Sequence, residues 1–306
     1  MSPATEPTSP DAGPGRAPAA GGSLETASTA RDALDGAVTA IAAAGCETPL
    51  LDAELLLAHV LGVDRQQLLA APEMAVAGPA VRAFQDAVRR RAVEREPVAY
   101  IVGHRAFRRL DLAVDRRALI PRPETELLVD VGLGLPAGAR VLDLGTGCGA
   151  VALALKDERP DLHVTASDIS RGALELAAHN ARRLRLDVSF VHADLLDFDA
   201  DFDAILSNPP YVADSERASL APEIVRHEPA EALFAGPDGL SVIRRLVEQL
   251  AWLPEVRHLA MEVGAGQAPE VSALVGQSGF DAIHFERDLA HVQRVLVADR
   301  HREARV

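Results

Sequence analysis

The feature that most limits the fold of this chain is a regular alternation of short apolar runs and amphipathic stretches after Gly138. The apolar runs predict strands at 141–144, 163–167, 188–191, 204–206, 258–263, 282–285 and 292–297. Stretches with the apolar spacing of helices lie between most of these runs, which is typical of βαβ units. We therefore expect an α/β fold with a mostly parallel sheet that is covered by helices on both faces.

The part of the chain before this alternation divides into three segments. Residues 1–24 are rich in Pro, Ala, Gly, Ser and Thr, and we expect a disordered tail there. Residues 25–96 show helical spacing and predict a small helical domain. Residues 97–126 contain β-like runs and predict a hairpin and a linker, which leaves 127–306 for the large α/β domain. The arginines of the helical segment are interpreted as a solvated helix face: Arg82, Arg89, Arg90, Arg91 and Arg95.

The overall charge and the cysteine count exclude some classes of protein. A formal net charge of −14 and a pI near 5.1 argue against bare nucleic acid as the main partner. The two cysteines, Cys46 and Cys148, are too few for a disulfide framework, which suits a reducing compartment. The sequence shows neither the pattern of a signal peptide nor an apolar run of membrane-spanning length. We expect a cytoplasmic protein.

A glycine-rich turn follows the first strand of the alternation. Gly145, Gly147 and Gly149 have the spacing G-x-G-x-G, whereas dinucleotide-binding turns have G-x-G-x-x-G. Glycine lets the backbone bend sharply and approach a ligand closely. Thr146 and Cys148 complete the turn, and we interpret Cys148 as a small residue that fits there, because no neighbouring base would activate it as a nucleophile. The turn predicts a cofactor site of another kind.

Acidic residues near the ends of the first three strands indicate which cofactor this is. Asp168 lies 23 residues after Gly145, where a carboxylate can accept hydrogen bonds from both hydroxyls of a ribose, and its alternative role is a helix N-cap. After the third strand, Asp194 can bind an adenine amino group while Leu195 packs on the ring. Asp143 lies where a charged amino-acid moiety would be. This order predicts S-adenosylmethionine, with S-adenosylhomocysteine as the product, and no metal site is predicted.

The tetrapeptide Asn208–Pro209–Pro210–Tyr211 follows the strand at 204–206. A planar amide or an exocyclic amine is a poor nucleophile because its lone pair is delocalised. Its N–H groups must therefore be held by acceptors that leave the nitrogen facing the methyl donor, and the Asn208 side-chain oxygen and the Pro209 carbonyl can do this. Pro210 stiffens the loop and Tyr211 provides a flat wall. We predict Asn208, Pro209 and Tyr211 as catalytic and all four residues as substrate-binding.

The two motifs together resemble those of the amino-methyltransferases that act on adenine bases or on glutamine amides. The segment Leu-Ile-Pro-Arg-Pro-Glu-Thr-Glu at 119–126 makes the chain similar to the release factor glutamine methyltransferases in particular. Further matches to that family lie at 97–103, 228–233, 236–240 and 262–264, and at Gln267. The resemblance covers residues from about 50 to 297.

This resemblance implies a Rossmann-like, seven-stranded class I methyltransferase domain preceded by a small helical domain that helps to hold the substrate. It implies methyl transfer from S-adenosylmethionine to the side-chain N5 of the glutamine in the Gly-Gly-Gln motif of class I peptide chain release factors. The donor would be bound by residues 145–149, Asp168, Leu195 and Asn208. The same resemblance implies that Phe107 and Arg122 border the substrate pocket.

Near the C-terminus the chain departs from the family pattern. The family usually has Asp-Leu-Ala-Gly there, whereas this chain reads Asp288-Leu-Ala-His291. We interpret His291 as a surface residue of the last hairpin, so that the change concerns local geometry more than chemistry.

Three other functions compete with this interpretation. A glutamine methyltransferase acting on a ribosomal protein would share most of these features. A DNA adenine N6-methyltransferase would share the tetrapeptide but would need a basic surface for phosphates, which the acidic composition disfavours. A dehydrogenase is disfavoured by the spacing of the glycines. We expect a protein substrate, no membrane association and no stable binding of nucleic acid.

Overall fold

The computed structural model describes residues 28–198 and 201–300. The tail predicted at 1–24 lies outside these residues. Within the described ranges, no helix combines the length and the apolar character that crossing a membrane requires.

The N-terminal region is a group of helices around an apolar core of its own. Its elements are β1 (Ser28–Thr29), α1 (Ala30–Ala43), α2 (Pro49–Leu61), α3 (Arg65–Ala70), β2 (Ala75–Val76) and α4 (Pro79–Ala92). Thr29 begins α1 with a capping box to Asp32, and Gly62 ends α2 in the left-handed conformation. The helices bury Leu56 and Phe84 among other apolar side chains, which gives this region a separate core.

A short connecting region joins these helices to the sheet. It contains α5 (Val98–Val102), β3 (His104–Phe107), β4 (Leu110–Ala113), a 3-10 turn (Pro123–Thr125) and α6 (Glu126–Leu133). Strands β3 and β4 form an antiparallel hairpin. Asn180, which is fully buried, fixes the hairpin to the large sheet domain: its Oδ1 accepts from the Ala113 amide at 2.8 Å, and its Nδ2 donates to the Cys148 carbonyl at 2.9 Å.

The large domain is a seven-stranded sheet with helices on both faces. Its strands are β5 (Arg140–Leu144), β6 (His163–Asp168), β7 (Ser189–His192), β8 (Ala204–Ser207), β9 (His258–Glu262), β10 (Ala282–Arg287) and β11 (Gln293–Asp299). Its helices are α7 (Ala150–Glu158), α8 (Arg171–Leu184), α9 (Pro222–His227), α10 (Ser241–Leu250) and α11 (Ala268–Gln277). Further 3-10 turns span Asp214–Ser219 and Ala230–Ala232. A strand occurs at each predicted position, so the predicted fold class is confirmed.

The strand order is β10-β11-β9-β8-β5-β6-β7. Strands β5 to β9 pair in parallel, and β11 pairs antiparallel with both of its neighbours. Successive residues of β5 face opposite sides, so that Val141 packs in the core under α6, α7 and α8, and Leu142 packs in the core under α10 and α11. Burial on both faces explains why the strands read as continuous apolar runs.

This topology determines where a ligand can bind. The chain order reverses between β5 and β8, because β6 and β7 lie on one side of β5 while β8 and β9 lie on the other. In open α/β sheets the binding crevice lies outside the carboxyl ends of the strands at such a point. The glycine-rich turn follows β5, the Asn-Pro-Pro-Tyr segment follows β8, and Asp168 ends β6, so all three are at this edge.

The arginines at the end of α4 correct one prediction. Arg82 is exposed as expected, but Arg91 is only 6% exposed. Arg91 Nε donates to Asp52 of α2 at 2.6 Å, and Nη2 of Arg91 and of Arg95 donate to the Glu223 carboxylate of α9 at 3.1 and 2.6 Å. The prediction of a solvated face is wrong for Arg91 and Arg95, because this end of α4 packs against acidic groups of two other helices.

Candidate active site

A cleft opens at the carboxyl edge of the sheet, between the loops that follow β5 and β8. It holds about 1250 Å³, its open mouth included. Most of the residues that the sequence predicts for the site line it: Gly145, Thr146, Gly147, Cys148, Asp168, Asp194, Leu195, Asn208, Pro209 and Pro210. Tyr211 lines a smaller hollow beside it. Gly149 lies behind the cleft, where a Cβ would come within 2.9 Å of the Leu153 side chain, so this glycine permits close packing of the turn on α7.

The backbone of the turn is held against the neighbouring strand. The amides of Gly145 and Thr146 both donate to the Ser167 carbonyl at 2.9 Å. Gly145 has a φ of +74°, and a Cβ there would meet no protein atom within 4 Å. The missing side chain would therefore project into free space, and because Gly145 lines the cleft, this space is available to a ligand.

Asp168 connects the turn to the start of α8. Its Oδ2 accepts from the Gly147 amide at 2.9 Å and its Oδ1 accepts from the Ser170 amide at 2.8 Å. The helix N-cap is Ser170, whose hydroxyl accepts from the Ala173 amide, so Asp168 is not the cap itself. Burial raises the pKa of Asp168 above its usual value. A carboxylate can accept about four hydrogen bonds, so Asp168 keeps capacity for a ligand in the cleft.

Asp143 is a buried acid at the same end of the cleft. Its Oδ2 accepts from the Thr146 hydroxyl at 2.6 Å and from the Ala152 amide at 3.0 Å. Burial raises the pKa of Asp143 from 3.8 to about 6. A positive charge bound nearby would favour the ionised form, so this end of the cleft is suited to a cationic group.

The far end of the cleft combines an acid with apolar walls. Asp194 accepts from Arg245 Nη2 at 2.8 Å, and Leu195 has an unusual φ of +55° for a residue with a side chain. Ile169 is 57% exposed and lines the cleft. Sequence reasoning missed Ile169 and Arg245. An apolar residue directly after Asp168 was a usable signal, whereas Arg245 is 51 positions from Asp194 and gave none.

Cys148 does not have the properties of a nucleophile. Its side chain is buried, and this burial raises its pKa to about 12. The thiolate is the reactive form of cysteine, and Cys148 therefore remains an unreactive thiol near neutral pH.

Asn208 lies where the cleft and the smaller hollow meet. The smaller hollow is lined by Leu119, Arg122, Asn208, Tyr211, Val212, Ala232 and Leu233. Arg122 is held there by Glu228, whose buried carboxylate accepts from Arg122 Nη2 at 2.6 Å. The structure places Phe107 elsewhere, because its side chain is only 1% exposed and belongs to the core.

The side chain of Asn208 is part of a hydrogen-bonded chain. Its Nδ2 donates to Thr125 Oγ1 at 3.1 Å, and the Thr125 hydroxyl donates to Glu262 Oε2 at 2.8 Å. The Tyr211 hydroxyl donates to the other oxygen of Glu262, Oε1, at 3.1 Å. Glu262 is only 1% exposed, and this burial raises its pKa. Sequence reasoning gave no role to Thr125 or Glu262, although both lie in segments that carry the family resemblance.

The backbone of Tyr211 is fixed from another direction. Gln267 Nε2 donates to the Tyr211 carbonyl at 2.9 Å, and Gln267 Oε1 accepts from the Gly264 amide at 2.8 Å. A Cβ on Gly239 would lie 2.3 Å from the same Tyr211 carbonyl. The loop after β8 therefore has little freedom to shift.

The backbone at His291 has a conformation that a glycine could also adopt. His291 is exposed and has a φ of +61°, the left-handed conformation that glycine adopts easily. Its amide donates to the Asp288 carbonyl at 2.9 Å, which closes the turn. The last hairpin thus forms with histidine in the position of the usual glycine.

Comparisons with known proteins identify the family of the chain. Two family models match the chain, the PrmC N-terminal domain over residues 32–103 and the Methyltransferase small domain over residues 123–253. The catalytic domain of hMettl16, solved in complex with an RNA hairpin, superposes with a TM-score of 0.52 at 17% identity, covering 74% of this chain and 83% of that chain. This likeness supports the methyltransferase fold alone.

Curated relatives match the chain over most of its length. The release factor glutamine methyltransferase of Rhodospirillum rubrum is 40% identical, covering 87% of this chain and 84% of the relative. That of Mycolicibacterium smegmatis is 42% identical, covering 88% of this chain and 97% of the relative. With this level of identity over most of the length of both chains, the chain belongs to the release factor glutamine methyltransferase family.

Proposed function

We propose that this enzyme transfers a methyl group from S-adenosylmethionine to the side-chain N5 of the glutamine in the Gly-Gly-Gln motif of class I release factors. The observation that carries the proposal is the position of Asn208, which borders both the large cleft and the smaller hollow. A donor in the cleft and an amide side chain in the hollow would meet at this residue. The names of the relatives support the choice of substrate.

The cleft fits S-adenosylmethionine in three respects. The free space at Gly145 accommodates a ligand against the backbone. The partly engaged carboxylate of Asp168 suits the ribose hydroxyls. The buried acid Asp143 suits the cationic amino-acid end. Asp194, Leu195 and the turn residues Thr146, Gly147 and Cys148 complete the proposed donor site.

In the proposed mechanism the protein aligns the amide and holds its N–H groups. When bound, S-adenosylmethionine supplies an electrophilic methyl group. The Asn208 side-chain oxygen and the Pro209 carbonyl accept the two N–H groups of the glutamine, which turns the nitrogen lone pair toward that methyl. Pro210 and Tyr211 confine the amide plane. Transfer would form the N–CH3 bond as the S–CH3 bond breaks, and the methylated nitrogen would then lose a proton to water, so no strong base would be needed from the protein. Alignment of this kind can contribute ~7–11 kcal/mol.

We further propose that different parts of the chain have different functions. Residues 25–96 would recognise the substrate, 97–126 would link the parts, and 127–306 would carry out the transfer. The separate apolar core of α1 to α4 supports this division. The proposal includes a cytoplasmic location.

The test is transfer of label from S-adenosylmethionine to purified release factor, with a factor whose Gly-Gly-Gln is changed to Gly-Gly-Ala as the control. We expect label on the unaltered factor alone. Label on both factors would exclude this glutamine as the acceptor. Label on neither, with donor binding retained in calorimetry, would overturn the choice of substrate, and ribosomal proteins and then DNA would be the next substrates to assay.

A further inference from the structure

Thr125 and Glu262 form a buried pair that the transfer described above does not use directly. Thr125 precedes α6 and is 4% exposed, and Glu262 ends β9 and is 1% exposed. Thr125 is 83 positions from Asn208, and Glu262 is 51 positions from Tyr211. The fold therefore brings three separate segments together at the residues that would hold the substrate amide.

The chemistry of these groups fixes the direction of each hydrogen bond when Glu262 is ionised. An ionised carboxylate only accepts hydrogen bonds. The Thr125 hydroxyl and the Tyr211 hydroxyl must both donate to Glu262, and each has a single hydrogen to give. Thr125 Oγ1 can then only accept from its other neighbour, 3.1 Å away, so that neighbour must be the Asn208 nitrogen.

This direction matters because the two ends of an amide have nearly the same shape. Only the hydrogen-bond network decides which end of an asparagine side chain points in a given direction. With Nδ2 engaged by Thr125, Oδ1 is left for the substrate. If the amide were reversed, Nδ2 would meet the N–H groups of the substrate, and two donors would face each other.

The charge of Glu262 argues against a purely structural role. No ion pair joins Glu262 to a cation within residues 28–198 and 201–300, and its hydrogen-bond partners in these ranges are two neutral hydroxyls. The charge of Arg294 acts on Glu262 only from beyond ion-pair distance, and a buried carboxylate without a contacting counter-ion is costly for folding. A neutral side chain such as glutamine could link the two hydroxyls at a lower desolvation cost. A glutamine amide both donates and accepts, however, so it would not fix the direction of the hydrogen bonds from Tyr211 and Thr125.

We propose that Glu262 and Thr125 are positioning residues that set the orientation of the Asn208 amide, so that its oxygen and not its nitrogen meets the substrate, and that Glu262 also holds the Tyr211 ring in place. This inference rests on the proposed function. In this proposal Thr125 and Glu262 act through Asn208 and Tyr211, the residues proposed to hold the glutamine.

The test compares Thr125→Val, which keeps the shape and removes the hydroxyl, with Thr125→Ser, which keeps the hydroxyl. We expect Thr125→Val to lower kcat about 10-fold to 100-fold, less than the ~10²–10³-fold cost of losing an aligned polar group itself, because Asn208 is still present. The Kd for S-adenosylmethionine should stay within about 3-fold of wild type, because the variant changes the direction of the Asn208 amide and leaves the turn after β5 unchanged. Thr125→Ser should restore most of the lost turnover.

Glu262→Gln is the second variant and keeps the volume of the side chain. The NH2 group of the new glutamine would donate to one of the two hydroxyls, so the direction of the hydrogen bonds between Tyr211 and Asn208 would no longer be fixed. We expect kcat to fall again, with little change in the Kd for S-adenosylmethionine. If Thr125→Val does not fold, the decision rests on Glu262→Gln.

Wild-type enzyme in the same assay separates the two proposals. Failure of the wild type to label release factor would overturn the proposed function. A wild type that labels the factor, together with a Thr125→Val or Glu262→Gln variant that is equally active, would leave the function standing and overturn the positioning role. A variant that lost turnover and donor affinity equally would overturn it too, because a general collapse of the site would then explain the loss.

Discussion

The two ends of the site are built in different ways: the donor end is the turn at 145–149 with the end of β6, and the acceptor end is Asn208 with Tyr211. The donor end is shaped by the backbone of the turn after β5, which hydrogen-bonds to the end of β6 next to it. The acceptor end is shaped by side chains, because Asn208 and Tyr211 take their orientation from Thr125 and Glu262 in distant segments. The turn itself presents backbone and free space to a ligand, so we expect it to tolerate changes of its own side chains, whereas the polar contacts at this end come from the carboxylates of Asp143 and Asp168. The acceptor end depends on which group donates and which accepts in each hydrogen bond, so a single substitution is more likely to lower activity there.

The largest expected effect is at the acceptor end. Asn208→Ala should lower kcat by about 10²–10³-fold, because it removes an acceptor whose contact strengthens as the amide nitrogen becomes nucleophilic. Donor affinity should change much less. Single-turnover methylation of release factor, combined with calorimetry of donor binding, measures both quantities. Wild-type turnover in this variant would contradict the claim that the acceptor end depends on individual side chains, because it would not need Asn208.

The buried acid of the donor end should give a pH-dependent stability. Asp143 has its pKa raised by burial from 3.8 to about 6, so the folded state prefers the protonated form. The resulting stabilisation is complete below pH 4 and is lost as the pH rises through 6, a change of about 3 kcal/mol. In denaturation between pH 4 and 7, the wild type should lose about 3 kcal/mol more stability than Asp143→Asn, in which only the other buried acids still titrate. If the free energy of unfolding had the same pH dependence in both proteins, Asp143 would ionise as readily in the folded as in the unfolded state.

Asp168→Ala should act on the donor and not on turnover. Hydrogen bonds to charged groups contribute about 1.5–3 kcal/mol, so we expect the Kd for S-adenosylmethionine to rise by about 10-fold to 100-fold. At saturating donor, kcat should remain near that of the wild type. Asp168→Asn is the control, because it retains one acceptor for the Gly147 amide. Normal donor binding by Asp168→Ala would contradict the proposed ribose contact.

The smallest effect is expected for Cys148→Ala. The thiol is buried and its pKa is raised to about 12 by that burial, so it contributes neither charge nor reactivity. Donor Kd and kcat should both stay within about 3-fold of wild type, as for a donor end that depends on backbone. Steady-state kinetics and calorimetry suffice. A large loss of donor affinity would show that the side chains of the turn matter as much as its shape.

The same contrast explains what the sequence could predict. The strands and the turn after β5 were predictable, because each depends on a continuous stretch of residues. The roles of Thr125 and Glu262 were not predictable, because each depends on a contact that only the fold creates. Thr125 lies 83 positions from Asn208, and Glu262 lies 51 positions from Tyr211. Arg91 was misjudged for the same reason, as its position on α4 does not reveal that α9 packs against it.

The shared carboxylate of Glu223 has a consequence for how such an enzyme can change in evolution. Two arginines of the helical region bind this residue, which lies in the segment that follows the Asn-Pro-Pro-Tyr loop. A foreign helical region grafted onto the sheet domain would leave Glu223 charged and partly buried without its partners, which is strongly destabilising. The two parts are therefore interchangeable only where the incoming helical region also places arginines opposite Glu223. New preferences for a protein partner would arise with least cost by substitutions within the helical region that retain Arg91 and Arg95.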